Sequence, residues 1–212
     1  MSKIVFEAVN AEKVVEGFPI LKNINLQIRA GEVIAIVGAN GSGKNSLLNL
    51  IGAIYDQTSG VVNRYAKKIG YVPMNLPDSI EFKVEEYLSL VGRMSGRAIK
   101  TLVKDIHHYA DIFKITPDLV STLSSCSKCT KHKVCIIQVL LNNPKILLLD
   151  EPFSFIEKEF QFELFHQLLS IKGDKTIVFT VSEELVFDKH VDKIINVKNG
   201  EIVSIQETQL NH

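Results

Sequence analysis

Gly38-Ala39-Asn40-Gly41-Ser42-Gly43-Lys44-Asn45 is the stretch that decides the fold of this 212-residue chain. It follows the phosphate-binding pattern G-x-x-x-x-G-K-[ST] up to its last position. In that pattern glycines let backbone N–H groups turn onto phosphate oxygens, and the lysine neutralises the terminal phosphates. The final hydroxyl holds Mg²⁺, which bridges the phosphates whose bond is broken. Asn45 stands where that hydroxyl belongs, so phosphate recognition is expected to survive while chemistry is in question. The flanks support the loop. Glu32–Val37 is a short β-branched apolar run of the kind that makes a buried parallel strand. Ser46-Leu47-Leu48-Asn49-Leu50-Ile51 begins a helical pattern. Strand, glycine loop and helix together aim a helix N-terminus at an anion. A glycine turn with no ligand is the plain alternative.

With 46% apolar residues, the chain suits one domain with a sizeable core. Its 24 basic and 24 acidic residues cancel, so no nucleic-acid or anionic-membrane surface is favoured. No apolar run approaches the roughly 18–20 residues of a membrane span, and no signal-peptide stretch opens the chain. The expected location is the cytoplasm, at the membrane only through a partner. Cys126, Cys129, His132 and Cys135 have a spacing that invites zinc. On a helix, however, every third residue drifts by about 60° per step, so four ligands would not converge. Inert thiols are the expectation.

Segments alternate along the chain. Ile4–Val9 and Leu21–Ile28 read as strands, and so do Val61-Val62 and Ile69–Pro73, the last stopped by its proline. Residues 81–113 change to helical spacing, through Val84, Tyr87, Leu88 and Val91 and then Ile99, Leu102, Val103, Ile106, Ala110 and Phe113. A further helix is expected over about Ser127–Leu141. Then come the most apolar strand, Ile146–Leu149, and an amphipathic helix through Phe160, Leu164, Phe165 and Leu168. The strand Thr176–Thr180 and a hairpin-like Lys193–Val203 around Asn199-Gly200 finish the pattern.

Asp150-Glu151 at the end of the apolar strand is the second chemical element. A buried strand projects its terminal carboxylates into a nucleotide cleft. Asp150 would reach a metal through its water shell, and Glu151 would orient or deprotonate an attacking water. Acids that merely start the next helix are the alternative. Lys128, Lys131, His132 and Lys133 crowd a helix start, where cations are unfavourable. They read either as phosphate contacts across a dimer or as a solvated turn.

Together these features resemble the ATP-binding subunit of ATP-binding-cassette (ABC) transporters over nearly the whole chain. Gly31-Glu32, the 38–44 loop, Thr58-Ser59-Gly60, Ile69–Pro73, Asn143–Pro152, Val191–Ile194 and Asn199–Val203 carry the resemblance. It implies an α/β fold of the P-loop NTPase, ABC ATPase type: a mixed sheet core with an antiparallel β portion and an inserted helical subdomain. The expected organisation is a single nucleotide-binding domain over 1–212, with the helical subdomain at roughly 76–140. Nucleotide contacts are expected from Gly38, Asn40, Gly41, Ser42, Gly43, Lys44, Asn45 and Ser46, and from Ser127 across a head-to-tail dimer. The implied cofactors are ATP, held weakly, and Mg²⁺, reached indirectly by Asp150 and poorly served by Asn45. The implied partners are a membrane-embedded transporter subunit and a second nucleotide-binding domain, in a homo- or heterodimer.

The departures from the family pattern all fall on chemistry. A glutamine expected after the strand at 69–73 is Met74, a soft and weak acceptor. The signature segment, counted 24 residues back from Asp150, is Cys126-Ser127-Lys128-Cys129-Thr130, with Cys129 in place of a glycine. (Leu123-Ser124-Ser125 resembles it by eye but is three residues out of register.) A histidine expected after Thr180 is Val181, and an aspartate expected at 157 is Glu157. Neither Val14 nor Val15 can stack on adenine, which leaves Phe18 as a weak substitute. The scaffold is spared while working side chains change. The leading expectation is an ABC-type subunit that keeps the fold, binds ATP or ADP with less dependence on metal, and is impaired in hydrolysis, Glu151 alone being insufficient as a catalytic group. The alternatives are an active transporter ATPase completed by its partner subunit, and a regulatory or interaction module with no nucleotide.

Overall fold

The computed structural model describes residues 3–74, 79–182 and 190–208. The chain divides into two compact units. The first takes the described residues within Met1–Tyr71, Lys145–Pro152 and Lys172–His212; the second takes those within Val72–Pro144 and Phe153–Ile171.

In the first unit, β1 (Ile4–Val15) and β2 (Phe18–Arg29) form a long antiparallel hairpin, and β4 (Ser59–Arg64) pairs with the other edge of β1. Both hairpin strands outrun their sequence signal. The alternation breaks at irregularities in the pairing, where Asn10 and Asn23 take positive φ. Such bulges shift which face a residue occupies, so period-two reading loses the strand. The second sheet has the order β5-β6-β7-β3-β8-β9. β3 (Val33–Val37) lies between β7 (Thr176–Val181) and β8 (Lys193–Lys198), parallel to both, and β6 (Ile146–Leu149) is parallel to β7. β5 (Ile69–Val72) and β9 (Glu201–Glu207) take the two edges, and β9 is antiparallel to β8. All four residues of β6 are buried, each worth about 2 kcal/mol relative to exposure. That burial on both faces is why β6 reads as an unbroken apolar run.

The helix after the glycine loop, α1 (Lys44–Ile51), buries Leu47, Leu48, Leu50 and Ile51 in a core shared with Ile34, Ile36 and Leu148. That burial fixes the helix start at the end of β3.

The second unit contains α2 (Val84–Met94), α3 (Ile99–Ile112), α4 (Lys128–Leu140) and α5 (Lys158–Ser170), with short 3₁₀ turns at Thr116–Val120 and Leu123–Ser125. The two helical runs read over 81–113 are α2 and α3, parted by a turn at Gly96, which takes φ +79. Leu88, Leu102, Ile106, Val134 and Leu140 are buried, and Tyr87 Oη donates to Gln138 Oε1 at 2.7 Å. Of the expected helical segment, residues 76–78 lie outside the described ones.

His132 of α4 is 3% exposed, its Nε2 has no hydrogen-bond partner among the described residues, and its ring meets the Phe155 ring edge-on. Burial pushes its pKa down to about 4. An unfolded histidine takes up its proton near pH 6.5, whereas the folded one resists until about pH 4. Stability is therefore complete above pH 6.5 and falls as the pH drops through that window, by about 3 kcal/mol at its foot. Urea midpoints at neutral and mildly acidic pH should fall more for the wild type than for His132→Leu. An equal fall in the two proteins would contradict the assignment.

Candidate functional site

The glycine loop, Asp150-Glu151 and Thr180–Ser182 come from three neighbouring strands, β3, β6 and β7, and follow or end them. The C-terminal ends of parallel strands are where open α/β sheets place ligands. Gly38 N donates to Val181 O, Ser42 N to Ala39 O and Gly200 N to Ser42 O, which ties the loop to the sheet and to the β8–β9 turn. Gly43 takes φ +105, and its missing Cβ would lie 3.0 Å from Gly200 Cα. A side chain there would push the loop off the hairpin.

Lys44 is 4% exposed, and its Nζ donates to Gly38 O at 2.7 Å and Ala39 O at 3.2 Å. The same ammonium lies 3.4 Å from Glu151 Oε1. Ser182 Oγ donates to that Glu151 oxygen at 2.7 Å. Glu151 has φ +48, and its N–H donates to Thr180 Oγ1 at 2.8 Å. Thr180 Oγ1 in turn donates to Asp150 Oδ1 at 3.0 Å. Asp150 Oδ2 accepts from Asn45 Nδ2 at 3.0 Å and from Tyr71 Oη at 3.3 Å. Burial pushes the Asp150 carboxyl above its usual range, while the Thr180 and Tyr71 hydrogen bonds pull it back. The Tyr71 phenol is raised, by burial first and then by the Asp150 charge.

The loop fits a phosphate ligand. Ser42 Oγ is buried with no partner among the described residues, beside the lysine and the start of α1. A buried hydroxyl left unpaired calls for a bonding group that the described residues do not supply. The residues fit Mg²⁺ poorly. An ionised Asp150 only accepts, so the NH₂ end of Asn45 must face it. The amide oxygen then points away from Asp150, so Asn45 does not join that carboxylate in supplying the hard oxygens a small octahedral cation requires.

Of the residues expected to act, Lys44, Asn45, Asp150 and Glu151 are brought together, and Gly38, Gly41, Ser42 and Gly43 form the loop beside them. Asn40 is exposed at its turn, and Ser46 lends only its carbonyl, which accepts from Tyr55 Oη. Ser127, in the second unit, caps α4, its Oγ accepting from Thr130 N at 3.0 Å. Cys129 is the second residue of that helix. Lys131 and His132 are both buried, so of the two readings of this helix start the solvated turn does not hold for those two residues. Phe18 is 74% exposed in the first hairpin. Tyr71, Thr180 and Ser182 were not anticipated as partners of the carboxylates. A hydroxyl ending the apolar strand Thr176–Val181 was the available signal for Thr180; nothing marked Ser182.

Residues 21–154 match the ABC transporter family. Similar proteins include the zinc import ATP-binding protein ZnuC of Mannheimia succiniciproducens, 31% identical over 204 residues, 89% of this chain and 71% of that protein. The lipoprotein-releasing system ATP-binding protein LolD of Ehrlichia ruminantium is 28% identical over 85% of this chain and 87% of its own length. An uncharacterized ABC transporter ATP-binding protein of Bacillus subtilis, YxlF, is 26% identical over 86% of the chain, which spans 64% of that relative's length. Among solved structures, cbiO1 from Clostridium perfringens superposes with a TM-score of 0.86 at 23% identity, covering 97% of this chain and 89% of that one. A dimeric ATP-binding cassette bound to ADP and Pi, MJ0796, gives 0.83 at 23% identity over 96% and 99%. The fold is therefore the α/β ABC ATPase cassette, with a mixed sheet, an antiparallel β portion and a helical part. This chain belongs to the ABC transporter family.

Proposed function

We propose that this chain is an ATP-binding subunit of an ABC transporter that binds adenine nucleotide but is impaired in hydrolysis. The observation that carries this reading is the commitment of both strand-end carboxylates to protein partners. Glu151 Oε1 is engaged by Lys44 and Ser182, and Asp150 is engaged by Thr180, Asn45 and Tyr71. A general base must reach its water within hydrogen-bond distance, and the neighbouring Val181 side chain has no group to donate to a phosphate. Losing one transition-state donor typically costs about 10²–10³ in rate. The losses act on one unit and do not multiply, yet one or two bring turnover close to background.

No helix among the described residues is long and apolar enough to cross a membrane. The relatives are named as ATP-binding proteins of import and release systems, and a related cassette is dimeric. Both support a cytoplasmic subunit working with a membrane-embedded partner and a second nucleotide-binding domain. A working ATPase completed by that second domain is the competing reading, favoured by the retention of Lys44, Asp150 and Glu151.

Equilibrium binding of ADP together with phosphate release from Mg²⁺·ATP tests the proposal, with the chain alone and with a membrane partner co-purified from its host. Binding without turnover is expected in both. Turnover in the mixed complex at rates of about 1 s⁻¹ or more would favour the competing reading, and no binding at all would remove the nucleotide from the account.

A further inference from the structure

Asn45 is exposed, whereas the carboxylate to which it donates is 7% exposed. Its amide therefore lies between Asp150 and the solvent. Three protein donors reach the two Asp150 oxygens: Thr180 on one, and Asn45 and Tyr71 on the other. A carboxylate has about four acceptor sites, so little of Asp150 is left to receive the waters of a hydrated metal.

An amide NH₂ has two hydrogens. One is used on Asp150 Oδ2; the second has no described acceptor and can donate to a phosphate oxygen over the loop. Asn45 can thus link Asp150 to the ligand by hydrogen bonds, where a metal would do so by coordination. It brings no charge, and this limits which ligand suits the site. The local charges are one ammonium, Lys44, against two carboxylates, Asp150 and Glu151, with Glu151 only 3.4 Å from Lys44 Nζ. A diphosphate set over the loop meets Ser42 Oγ, Lys44 and the start of α1, which all favour an anion. A third phosphate extends toward the carboxylates, where among the described residues one ammonium faces two carboxylates, and like charges in a partly buried site repel strongly.

We infer that this site takes a nucleoside diphosphate free of Mg²⁺, with the Asn45 amide bridging ligand and Asp150 in place of the metal. The inference rests on the proposed nucleotide-binding role.

Calorimetric titration of the whole chain with ADP and with ATP, each in EDTA and in excess Mg²⁺, tests it. ADP should bind with an affinity that Mg²⁺ does not tighten, and in EDTA it should bind about tenfold more tightly than ATP, because it lacks the uncompensated phosphate. Mn²⁺ added to the protein–ADP mixture should keep the magnetic-resonance spectrum that it has with ADP alone. In Asn45→Ser, which restores a hydroxyl ligand, Mg²⁺ should tighten ADP binding by about tenfold and Mn²⁺ should become protein-bound. A tenfold tightening of ADP by Mg²⁺ in the wild type would overturn the inference while leaving nucleotide binding intact. So would tighter binding of ATP than of ADP in EDTA, or an Asn45→Ser protein still indifferent to metal. No heat with either nucleotide under either condition overturns the inference and the nucleotide-binding role together.

Discussion

Lys44→Ala should weaken ADP binding by about a hundredfold or more, the largest loss available from one side chain. The ammonium is the only cation with a described contact to the loop; it donates to Gly38 O and Ala39 O beside Glu151, and it turns from one of these partners to meet a phosphate. A charge-assisted hydrogen bond contributes about 1.5–3 kcal/mol, and about 2.7 kcal/mol is a hundredfold in affinity. Two effects add to the loss. Removing the ammonium takes away the one positive charge 3.4 Å from Glu151, so the cleft turns more negative toward any phosphate. The backbone donors of the loop alone do not offset that change. Calorimetric titration reads the affinity, and the melting transition without ligand checks that the variant folds. ADP affinity within about threefold of the wild type would mean that no phosphate is held at this loop.

Gly60→Ala should destabilise the first unit by about 3 kcal/mol or more. Asn10, at φ +46, interrupts the pairing of β1 with β4 and brings its carbonyl against the start of β4. A Cβ at Gly60 would lie 2.1 Å from Asn10 O and 2.7 Å from Ala11 Cα, both backbone atoms that cannot step aside as a side chain can. The residue also takes φ +78, which costs a non-glycine about 1–2 kcal/mol by itself. Gly31→Ala separates the two causes. Gly31 has φ +83 with nothing within 4 Å of its virtual Cβ, so it should show only the conformational cost. Urea unfolding of the two variants should differ by the steric part, about 2 kcal/mol. Equal losses would contradict the close approach of β1 and β4.

The parts of this molecule that local sequence determines were the parts that could be read. Ile146–Leu149 is apolar throughout because both its faces are buried, and that alone marks a central strand. The loop at 38–44 is readable because its glycines stand at fixed spacing: Gly41 and Gly43 take positive φ, and a Cβ at Gly38 would meet Val197 O. The carboxylate network was not readable. Asn45 and Asp150 are 105 residues apart, and Ser182 and Glu151 are 31 apart, so their contacts exist only once β3, β6 and β7 are adjacent. Sequence pattern marked Asn45 as standing where a hydroxyl is expected, but it gave no sign that the amide turns back onto Asp150. Lys131 and His132 failed differently. Charge allowed a solvated helix start or phosphate contacts across a dimer, yet both are buried within the second unit, where the segment after Pro152 joins α4 through the contact of Phe155 with His132. The β1–β2 hairpin was underestimated because its bulges interrupt the alternation on which strand reading depends.

Steady-state phosphate release from Mg²⁺·ATP, at a nucleotide concentration that saturates the purified chain, tests the central claim most directly. With the Asp150 and Glu151 carboxylates committed to Asn45, Thr180, Tyr71, Lys44 and Ser182, release should be no faster than from the binding-deficient Lys44→Ala protein. Sustained release well above that control, over many turnovers, would contradict it.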